Sequence, residues 1–593
     1  MTAQDGGSER MNRKSRRAAA KASGNKLPAV GTAFAKADAD HRAGRLRDAL
    51  RGYGAVPPGR PEYVESLRRA GLIALQLAEY PLAVDNLSRA LAQLPGDAGL
   101  HYNLGLAHKE FGDLQNAADS FRRAADLDPA DVAAIGNLGS TYLSLGDNGA
   151  ATTAFQQALV CQPNNVTVLV NLGLAQQAAG SDDDAEATFR HALALAPSHR
   201  DARMNLGAVL RRQGRLAEAI QAFTDILRDR PEDALALTNL GATLLALGQH
   251  DEAADTFLRL TAATPGDAAA HYALGNALYD LGRLHESAAA FQQALHLRPG
   301  FGEAWDNLGL AQQATGQSDE AIRAHRRAAA LMPEDAACRF NLGTALQAAG
   351  QPGEARLAYE DCLQLEPANA GARYLLAALK GETPAMAPTT YVESLFDSYA
   401  RWFDGHLVDG LGYRTPEALR ALCDRIDDRK EPYGQVLDLG CGTGLVGKAF
   451  RDKAAHLTGV DLSMRMIDEA RRKGIYDTLA VGDLVAFLKA DAAAYDLVLA
   501  GDVLVYIGNL EPLFAAIAER MAPSTLLLFS VEHLADGRFQ LTPSGRYAHS
   551  EPYITELAAT HGFRVRAVER TDLRHDQHLA VAGLIFALCR AER

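Results

Sequence analysis

Residues 435–444 read Gln-Val-Leu-Asp-Leu-Gly-Cys-Gly-Thr-Gly, and this stretch indicates the fold of the C-terminal third of the chain. The apolar residues before the first glycine predict a buried strand, and the alternate glycines predict a tight loop that leads into a helix from Leu445. Because glycine has no Cβ, the backbone of this loop can approach a ligand closely. A second short apolar segment ends at Asp461, where the first βαβ unit of a nucleotide-binding sheet presents a carboxylate to ribose hydroxyls. The stretch therefore predicts a cofactor that contains adenosine.

Two kinds of cofactor site are compatible with this loop. Residues 442–447, Gly-Thr-Gly-Leu-Val-Gly, satisfy the G-x-G-x-x-G fingerprint of dinucleotide-binding proteins. Asp438 at the end of the strand and the earlier glycine at Gly440 favour S-adenosylmethionine instead. Residues 436–444 resemble the first motif of class I (Rossmann-like) methyltransferases that depend on S-adenosylmethionine. A glycine-rich turn without any ligand is the remaining alternative.

The residues after Asp461 continue the order of elements found in class I methyltransferases. The pattern predicts helices over 464–473 and 513–520, strands over 479–484, 495–502 and 525–530, and a closing antiparallel pair over 563–568 and 579–588. A dinucleotide oxidoreductase does not require that final pair, so its presence favours the methyltransferase interpretation. The predicted fold is an α-solenoid followed by this α/β Rossmann-like domain.

The resemblance also implies which residues hold the cofactor. In the family, the acid after the third strand meets the adenine amino group and the next residue packs on the ring, which assigns these roles to Asp483 and Leu484. The full predicted set for S-adenosylmethionine is Asp438, Gly440, Cys441, Gly442, Gly444, Asp461, Leu462, Asp483 and Leu484.

The catalytic residue is unknown from the sequence. Methyl transfer needs an aligned nucleophile and, where that nucleophile is a hydroxyl or a charged amine, a base. Candidates are Asp502, Tyr506, His533, Tyr547 and His549. No pair of them forms a diagnostic constellation, and each is more readily explained as a binding or structural residue.

Absent motifs narrow the class of acceptor. Residues 501–504, Gly-Asp-Val-Leu, stand where nucleic-acid methyltransferases that act on amino groups carry an Asn/Asp-Pro-Pro-aromatic motif. The chain also lacks the Pro-Cys nucleophile used for cytosine C5 methylation. The absence of both motifs disfavours a nucleic-acid acceptor, and we expect a protein or small-molecule acceptor.

A period of 34 residues runs through the chain from about residue 28 to 369. Glycines mark one position of it: Gly105, Gly139, Gly173, Gly207, Gly241, Gly275, Gly309 and Gly343. Prolines keep the same step from Pro61 to Pro367, where each one stops a helix before the next unit begins. The pattern resembles the tetratricopeptide repeat, which has two antiparallel helices per unit and stacks into a superhelix with a concave groove.

One polar position recurs two residues before the glycine. It is occupied by Asn103, Asn137, Asn171, Asn205, Asn239, Asn307 and Asn341. An amide offers both a donor and an acceptor, so a ladder of amides could hold the backbone of an extended peptide or protein segment. In this respect the array resembles the superhelix of the O-linked N-acetylglucosamine transferase family. The alternative is that each asparagine bonds to the neighbouring repeat.

Four segments are predicted. Residues 1–27 are polar and basic, which predicts a disordered arm. Residues 28–369 form the repeat array, 370–390 a linker, and 391–593 the methyltransferase domain. Residues 396–404, Phe-Asp-Ser-Tyr-Ala-Arg-Trp-Phe-Asp, resemble the helical preamble that covers the cofactor as a lid in many small-molecule methyltransferases; a helix with core aromatics is the alternative.

Composition sets outer limits on the function. The net charge of -13 argues against nucleic-acid binding by the whole surface. Six cysteines without a C-x-x-C pair predict a reducing cytoplasm, with no disulfide framework and no metal site. Neither a signal peptide nor a membrane span is expected.

Together these patterns predict an S-adenosylmethionine-dependent methyltransferase that recruits a protein or peptide through its repeats. The alternative is an interaction scaffold whose cofactor domain is weak or inactive. The intact glycine loop and its two acids favour the enzyme. The methyl acceptor, the partner and the oligomeric state do not follow from the sequence.

Overall fold

The computed structural model describes residues 30–405, 407–408, 411–576 and 579–591. The predicted basic arm, 1–27, lies outside the described residues. The chain divides into two compact units, residues 1–243 and 244–593, and the division falls within one helix. Nowhere in the described ranges is a helix long and apolar enough to cross a membrane.

The first unit consists of paired helices. They are α1 (Val30–Arg42), α2 (Leu46–Gly54), α3 (Tyr63–Gln76), α4 (Tyr80–Leu91), α5 (Ala98–Phe111), α6 (Leu114–Leu127), α7 (Val132–Leu145), α8 (Asn148–Cys161), α9 (Val166–Ala178), α10 (Asp182–Leu195), α11 (Arg200–Arg212) and α12 (Leu216–Asp229). Helix α13 (Ala234–Leu247) contains the division between the units. The predicted two helices per 34 residues are confirmed.

Each helix pair is specified by its ends and by one close contact. In the pair α5 and α6, the Asp97 side chain caps the first helix by accepting from the Leu100 N–H at 2.9 Å, and Gly112 ends it with a φ of +87°. Between the helices, Gly105 faces the ring of Phe121. A Cβ at Gly105 would lie 2.6 Å from that ring, so only glycine allows the two helices this separation.

The repeat helices continue in the second unit. They are α14 (His250–Ala263), α15 (Ala268–Asp280), α16 (Leu284–Leu297), α17 (Gly302–Ala314), α18 (Ser318–Leu331), α19 (Ala336–Ala348), α20 (Pro352–Leu365) and α21 (Ala370–Lys380). Helix α21 occupies the first half of the segment 370–390, for which the sequence analysis expected a linker. That half of the expected linker is helical.

The last repeat helices share a hydrophobic core with the domain that follows them. Tyr374 and Leu375 of α21 belong to one buried cluster with Leu541 and Tyr547. The Tyr374 hydroxyl donates to the carbonyl oxygen of Gly545 at 3.0 Å. The residues after α21 are also fixed, because the Ala387 N–H donates to the carbonyl oxygen of Tyr506 at 2.9 Å. Hydrogen bonds therefore hold the segment that joins the repeats to the domain, although most of its residues are exposed.

The remaining elements form an α/β domain. Its helices are α22 (Thr389–Tyr399), α23 (Phe403–Gly405), α24 (Thr415–Ile426), α25 (Leu445–Phe450), α26 (Met464–Lys473), α27 (Leu484–Ala490), α28 (Glu511–Arg520) and α29 (Glu551–Thr560). Its strands are β1 (Tyr433–Leu439), β2 (Ala454–Asp461), β3 (Thr478–Val481), β4 (Tyr495–Ala500), β5 (Met521–His533), β6 (Phe539–Leu541), β7 (Tyr547–His549), β8 (Phe563–Asp576) and β9 (Leu579–Arg590).

The strands form one sheet in which β3, β2, β1, β4 and β5 lie side by side and parallel. Strand β9 pairs antiparallel with β5, and β8 pairs antiparallel with β9. The predicted closing antiparallel pair is confirmed. Buried apolar residues cover both faces of the sheet, as parallel sheets require. This order directs the carboxyl ends of β1 to β4 to one edge.

Candidate active site

A cavity opens at the carboxyl edge of strands β1 to β4, which is where ligands bind in sheets of this topology. The loop after each strand contributes to its wall: residues 440–443, 461–462, 482–484 and 501–503. The structure therefore brings together seven of the predicted cofactor residues: Gly440, Cys441, Gly442, Asp461, Leu462, Asp483 and Leu484.

The glycine loop presents backbone to this cavity. Gly442 has a φ of +53°, and a Cβ built on it would have no atom closer than Phe403, at 4.0 Å. Gly440 is required for a different reason, because a Cβ there would lie 2.3 Å from the side chain of Val503. Its N–H donates to the carbonyl oxygen of Val460 at 2.8 Å, which fixes the loop to β2. Only Gly442 of these two offers space that a ligand could fill.

Asp461 connects the loop to the next strand. Its two carboxylate oxygens accept from the backbone N–H groups of Gly442 and Ser463, each at 2.9 Å. Burial raises the pKa of Asp461 above its ordinary value, although both N–H bonds lower it. A carboxylate oxygen that accepts one bond keeps a lone pair for another donor. Asp461 can therefore hold the loop and accept from a ligand hydroxyl.

The loop after β3 supplies an acid and an apolar surface. Asp483 caps α27 by accepting from the Ala486 N–H at 2.9 Å, and Leu484 beside it is 8% exposed. Both residues line the cavity. An acid next to an apolar side chain suits a planar ring that carries a hydrogen-bond donor.

Two predicted cofactor residues lie behind the cavity wall. Asp438 is fully buried and accepts from the hydroxyl of Tyr476 at 2.6 Å. Gly444 also packs against Tyr476, since a Cβ there would lie 3.0 Å from its ring. Neither residue is among those that line the cavity. In this structure they support the loop from beneath.

The buried carboxyl of Asp438 gives a testable pH dependence. Burial raises its pKa to about 7, against the effect of the Tyr476 hydroxyl. An aspartate titrates near pH 4 in the unfolded chain, so ionisation costs the folded protein stability progressively between about pH 4 and 7, and the full penalty is present above pH 7. We expect Asp438→Asn to raise the free energy of unfolding, relative to wild type, by on the order of 3 kcal/mol more at pH 8 than at pH 4.5.

Denaturant unfolding at the two pH values measures this difference. Asp536→Asn serves as the control, because Asp536 is exposed in a loop of the same domain. An Asp438→Asn effect that is equal at both pH values would contradict the prediction.

The structure separates the five candidate bases. Asp502 and Tyr506 line the cavity. Tyr547 is fully buried and its hydroxyl donates to the carbonyl oxygen of Pro384 at 2.8 Å. The buried ring of His549 bonds to the carbonyl oxygen of Gly508 at 3.1 Å through Nε2, and burial lowers its pKa to about 4. Neither these two residues nor His533, at the end of β5, is among the residues that line the cavity.

Two arginines at the cavity were not predicted from the sequence. Arg574 of β8 is 2% exposed; its Nη1 donates to both carboxylate oxygens of Asp502 at 2.9 and 2.7 Å, and its Nη2 donates to Glu532. Arg546 also lines the cavity. Burial lowers its pKa, but Tyr506, Glu532 and Asp502 together raise it by more, so the net shift is upward. Asp502 itself has a φ of +58°, a backbone conformation that is uncommon for residues other than glycine. A charged, strained cluster of this kind is typical of functional sites.

The aromatic residues of the predicted lid also reach the cavity. Phe396 and Phe403 are part of its wall, and their rings lie 6.0 Å apart in an edge-to-face arrangement. Phe396 also lies edge-to-face with Tyr506, at 5.4 Å. Phe403 also approaches the glycine loop, since its ring would lie 4.0 Å from a Cβ built on Gly442.

Most of the repeat asparagines make hydrogen bonds within the array. Bonds to the neighbouring helix pair join Asn137 to the Tyr102 hydroxyl at 3.3 Å, Asn239 to the Met204 sulfur at 3.7 Å, Asn307 to the Tyr272 hydroxyl at 3.2 Å and Asn341 to Asp306 at 2.8 Å. Bonds to a carbonyl of the same helix join Asn103 to Gly99, Asn137 to Ala133 and Asn239 to Leu235. The half-buried amides of Asn171 and Asn205 make no hydrogen bond to any residue that the structure describes.

Two protein-family models match the chain. One is described as a tetratricopeptide repeat and matches residues 68–132, 137–199, 170–234, 209–268, 238–301, 272–336 and 306–370, which together make up half of the chain. The other is described as a methyltransferase domain and matches residues 411–568. The chain therefore belongs to the tetratricopeptide repeat family and carries a methyltransferase domain.

Curated relatives match the second part. The malonyl-acyl-carrier-protein O-methyltransferase of Enterobacter lignolyticus is 29% identical over 137 residues, which are 23% of this chain and 53% of the relative. The magnesium-protoporphyrin O-methyltransferase of Synechocystis is 30% identical over 166 residues, 25% of this chain and 71% of the relative. The chain thus spans about half the length of the first relative.

A solved structure is also similar to this chain. It is the crystal structure of the magnesium protoporphyrin IX methyltransferase from Synechocystis PCC 6803 with bound SAH, at 20% identity and a TM-score of 0.28, covering 34% of this chain and 99% of that one.

The methyltransferase match and these O-methyltransferase relatives indicate S-adenosylmethionine as the cofactor. The cavity fits such a molecule in its chemistry. The open space at Gly442 admits a group close to the backbone, Asp461 provides a carboxylate for hydroxyls, and Leu484 provides an apolar surface.

Proposed function

We propose that the protein is an S-adenosylmethionine-dependent methyltransferase that uses its repeats to bind a protein or peptide. One observation carries the proposal: the open glycine loop and the residues after β2 and β3 line a single cavity at the sheet edge. The predicted domain ranges, 28–369 for the repeats and 391–593 for the methyltransferase, are part of the proposal. The cytoplasm is the proposed location.

The cofactor-binding residues have distinct roles in this proposal. The backbone at Gly442 leaves room for the cofactor against the loop, Gly440 lets the loop pack on Val503, and Asp461 accepts from the ribose hydroxyls of the cofactor. Asp483 accepts from the adenine amino group while Leu484 packs on the ring. Asp438 acts indirectly, by supporting the loop through Tyr476.

When bound, S-adenosylmethionine supplies an activated methyl group, so the protein has to align a nucleophile and exclude water. Phe396 and Phe403 line the cavity and exclude water from it. Asp502 and Tyr506 are the candidate bases that remain, since both face the cavity. The Asp502 carboxylate is held by Arg574, which favours a role in orienting the acceptor over a role as a free base.

We propose oxygen as the accepting atom, on a protein or a small molecule. The relatives reported above are O-methyltransferases by name, which supports this choice. A nucleic-acid acceptor is not proposed.

Calorimetric titration of S-adenosylmethionine and of its demethylated product into the full chain tests the cofactor assignment. We expect micromolar binding of both ligands, followed by transfer of a radiolabelled methyl group to an acceptor in cell extract. The absence of both binding heat and a thermal shift with either ligand would overturn the proposal in favour of an interaction scaffold.

For the repeats, we propose that the unbonded amides of Asn171 and Asn205 hold a peptide backbone. Phage-displayed random peptides are selected on the wild-type protein, and the recovered peptides are then titrated into variants. We expect Asn171→Ala combined with Asn205→Ala to weaken binding by about tenfold, because each lost amide bond contributes about 0.5–1.5 kcal/mol.

Asn164→Ala is the control for this experiment, since Asn164 is exposed in a turn between helices of the same array. Equal affinity of the double variant and the wild type would return the asparagines to a purely structural role.

A further inference from the structure

Residues 396–404, here called the lid segment, are tied to the cofactor loop on one side. Phe396 and Phe403 line the cavity, and Phe403 is the closest neighbour of the space above Gly442. Asp404 accepts hydrogen bonds from the Thr443 hydroxyl and from the ammonium group of Lys473. The end of the lid segment is thereby fixed to the loop that the proposed function assigns to the cofactor.

A second tie joins the lid segment to the acid after β2. Asp397 accepts from the hydroxyl of Ser463 and, at 3.4 Å, from the backbone N–H of Arg465. The N–H of Ser463 in turn donates to Asp461 at 2.9 Å. A shift of Asp397 would therefore be transmitted to the proposed ribose-binding carboxylate through a single residue.

On its other side the lid segment rests on a tetratricopeptide repeat. Trp402 packs on Gly282, in the turn between α15 and α16, so closely that a Cβ at Gly282 would lie 2.6 Å from the Trp402 Cβ. The indole also lies edge-to-face with Tyr279 of α15, with ring centroids 6.4 Å apart. These residues all belong to the second compact unit.

Three consecutive residues thus point to three different places: Trp402 to the repeat, Phe403 to the cavity and Asp404 to the glycine loop. Because adjacent residues cannot move independently, a displaced Trp402 has to displace the other two. We propose that Trp402 is a positioning residue through which the repeat at 268–297 holds the lid segment over the cofactor, so that the repeat contributes to the affinity for S-adenosylmethionine. This inference rests on the proposed function.

Substitution of Gly282 tests the inference with an internal control. Gly282 and Gly316 occupy the same position in successive repeats, with φ values of +73° and +75°. A Cβ at Gly316 would have nothing within 4 Å, whereas one at Gly282 would meet Trp402. Gly282→Ala and Gly316→Ala therefore introduce the same backbone strain, and only Gly282→Ala introduces the clash.

Calorimetry on the full chain is expected to give an affinity for S-adenosylmethionine about tenfold weaker in Gly282→Ala than in Gly316→Ala, a typical size for coupling between distant groups. A Trp402→Gly background lacks the Cβ that makes the clash, so Gly282→Ala should have no additional effect there. Equal affinity of the Gly282→Ala and Gly316→Ala variants would overturn the inference, as would the same Gly282→Ala effect with and without Trp402.

Hydrogen exchange without any ligand distinguishes this inference from the proposed function. We expect faster exchange across residues 396–404 in Gly282→Ala than in Gly316→Ala. Unchanged exchange would overturn the anchoring by the repeat even if the wild type binds the cofactor. A wild type that does not bind S-adenosylmethionine would overturn the proposed function, and with it the cofactor role of Trp402, while the exchange rates still decide whether the repeat holds the segment.

Discussion

Arginine in place of Gly442 is expected to weaken the binding of S-adenosylmethionine by at least about 100-fold, or about 2.8 kcal/mol. A Cβ at this position would touch Phe403, 4.0 Å away, and Gly442 lines the cavity, so the longer arginine side chain would occupy the volume assigned to the cofactor. The left-handed φ of +53° adds a strain of about 1 kcal/mol for any residue with a Cβ. Calorimetric titration of the purified variant measures the loss.

Gly474→Arg is the matched control for that experiment. Gly474 ends α26 in the same domain with a φ of +63°, and a Cβ there would meet nothing within 4 Å. The control should therefore have the same strain and bind the cofactor as the wild type does. Undiminished binding by Gly442→Arg would refute the placement of the site at this loop.

Arg574→Met is expected to lower the free energy of unfolding by about 3–5 kcal/mol, the usual cost of removing one partner from a buried ion pair. The substitution leaves the carboxylates of Asp502 and Glu532 without the guanidinium that bonds to both of them. Burial already raises the pKa of Glu532 despite Arg574. The loss of stability should therefore be greater at pH 8 than at pH 5. At pH 5 the exposed carboxylates of the unfolded chain are closer to protonation, so a raised pKa in the folded variant costs less free energy.

Denaturant unfolding at both pH values checks this second expectation. Arg570→Met is its control, because Arg570 lies on the same strand with 74% of its side chain exposed. Surface substitutions of that kind usually change stability by less than about 0.5 kcal/mol. If the two variants are equally stable, the cluster does not stabilise the domain.

The repeats and the cofactor loop could be predicted from the sequence because each depends on local constraints. The glycine at position 105 has counterparts every 34 residues, and that spacing is visible without any tertiary information. A ring packs on Gly105, Gly139, Gly173, Gly207, Gly275, Gly309 and Gly343. Gly442 is recognisable for the same reason, as part of a short contiguous motif. Such features are encoded by residues that are neighbours in the chain.

Residues that act at long range could not be found in this way. Arg574 lies 72 positions from Asp502 and is one of many arginines on a strand that alternates charged and apolar residues. Asp438 stands in the motif, but its burial behind Tyr476 depends on a segment 38 residues later. The sequence pattern predicts Asp438, at the end of the strand before the loop, as a cofactor-binding residue, and it does not indicate that Asp438 lies behind the cavity wall.

The helix within the expected linker did have a local signal. Asn369 caps it by accepting from the Ala372 N–H at 2.9 Å, and Gly381 ends it with a φ of +73°. Asparagine before an apolar run and glycine after it are the usual marks of a helix. The glycine and the two prolines at 381–388 predict a linker only for the residues that follow this helix.

The core shared by Tyr374, Leu375, Leu541 and Tyr547 has a practical consequence for protein engineering. A chimera that joins another methyltransferase domain at residue 390 would place a foreign surface against side chains shaped for this one. The same cluster extends back to Ile322, and the Trp402 contact extends back to Tyr279 of α15, so a fusion point before Ala268 would transfer both. The methyltransferase domain and its last helix pairs are therefore best treated as a single exchangeable module.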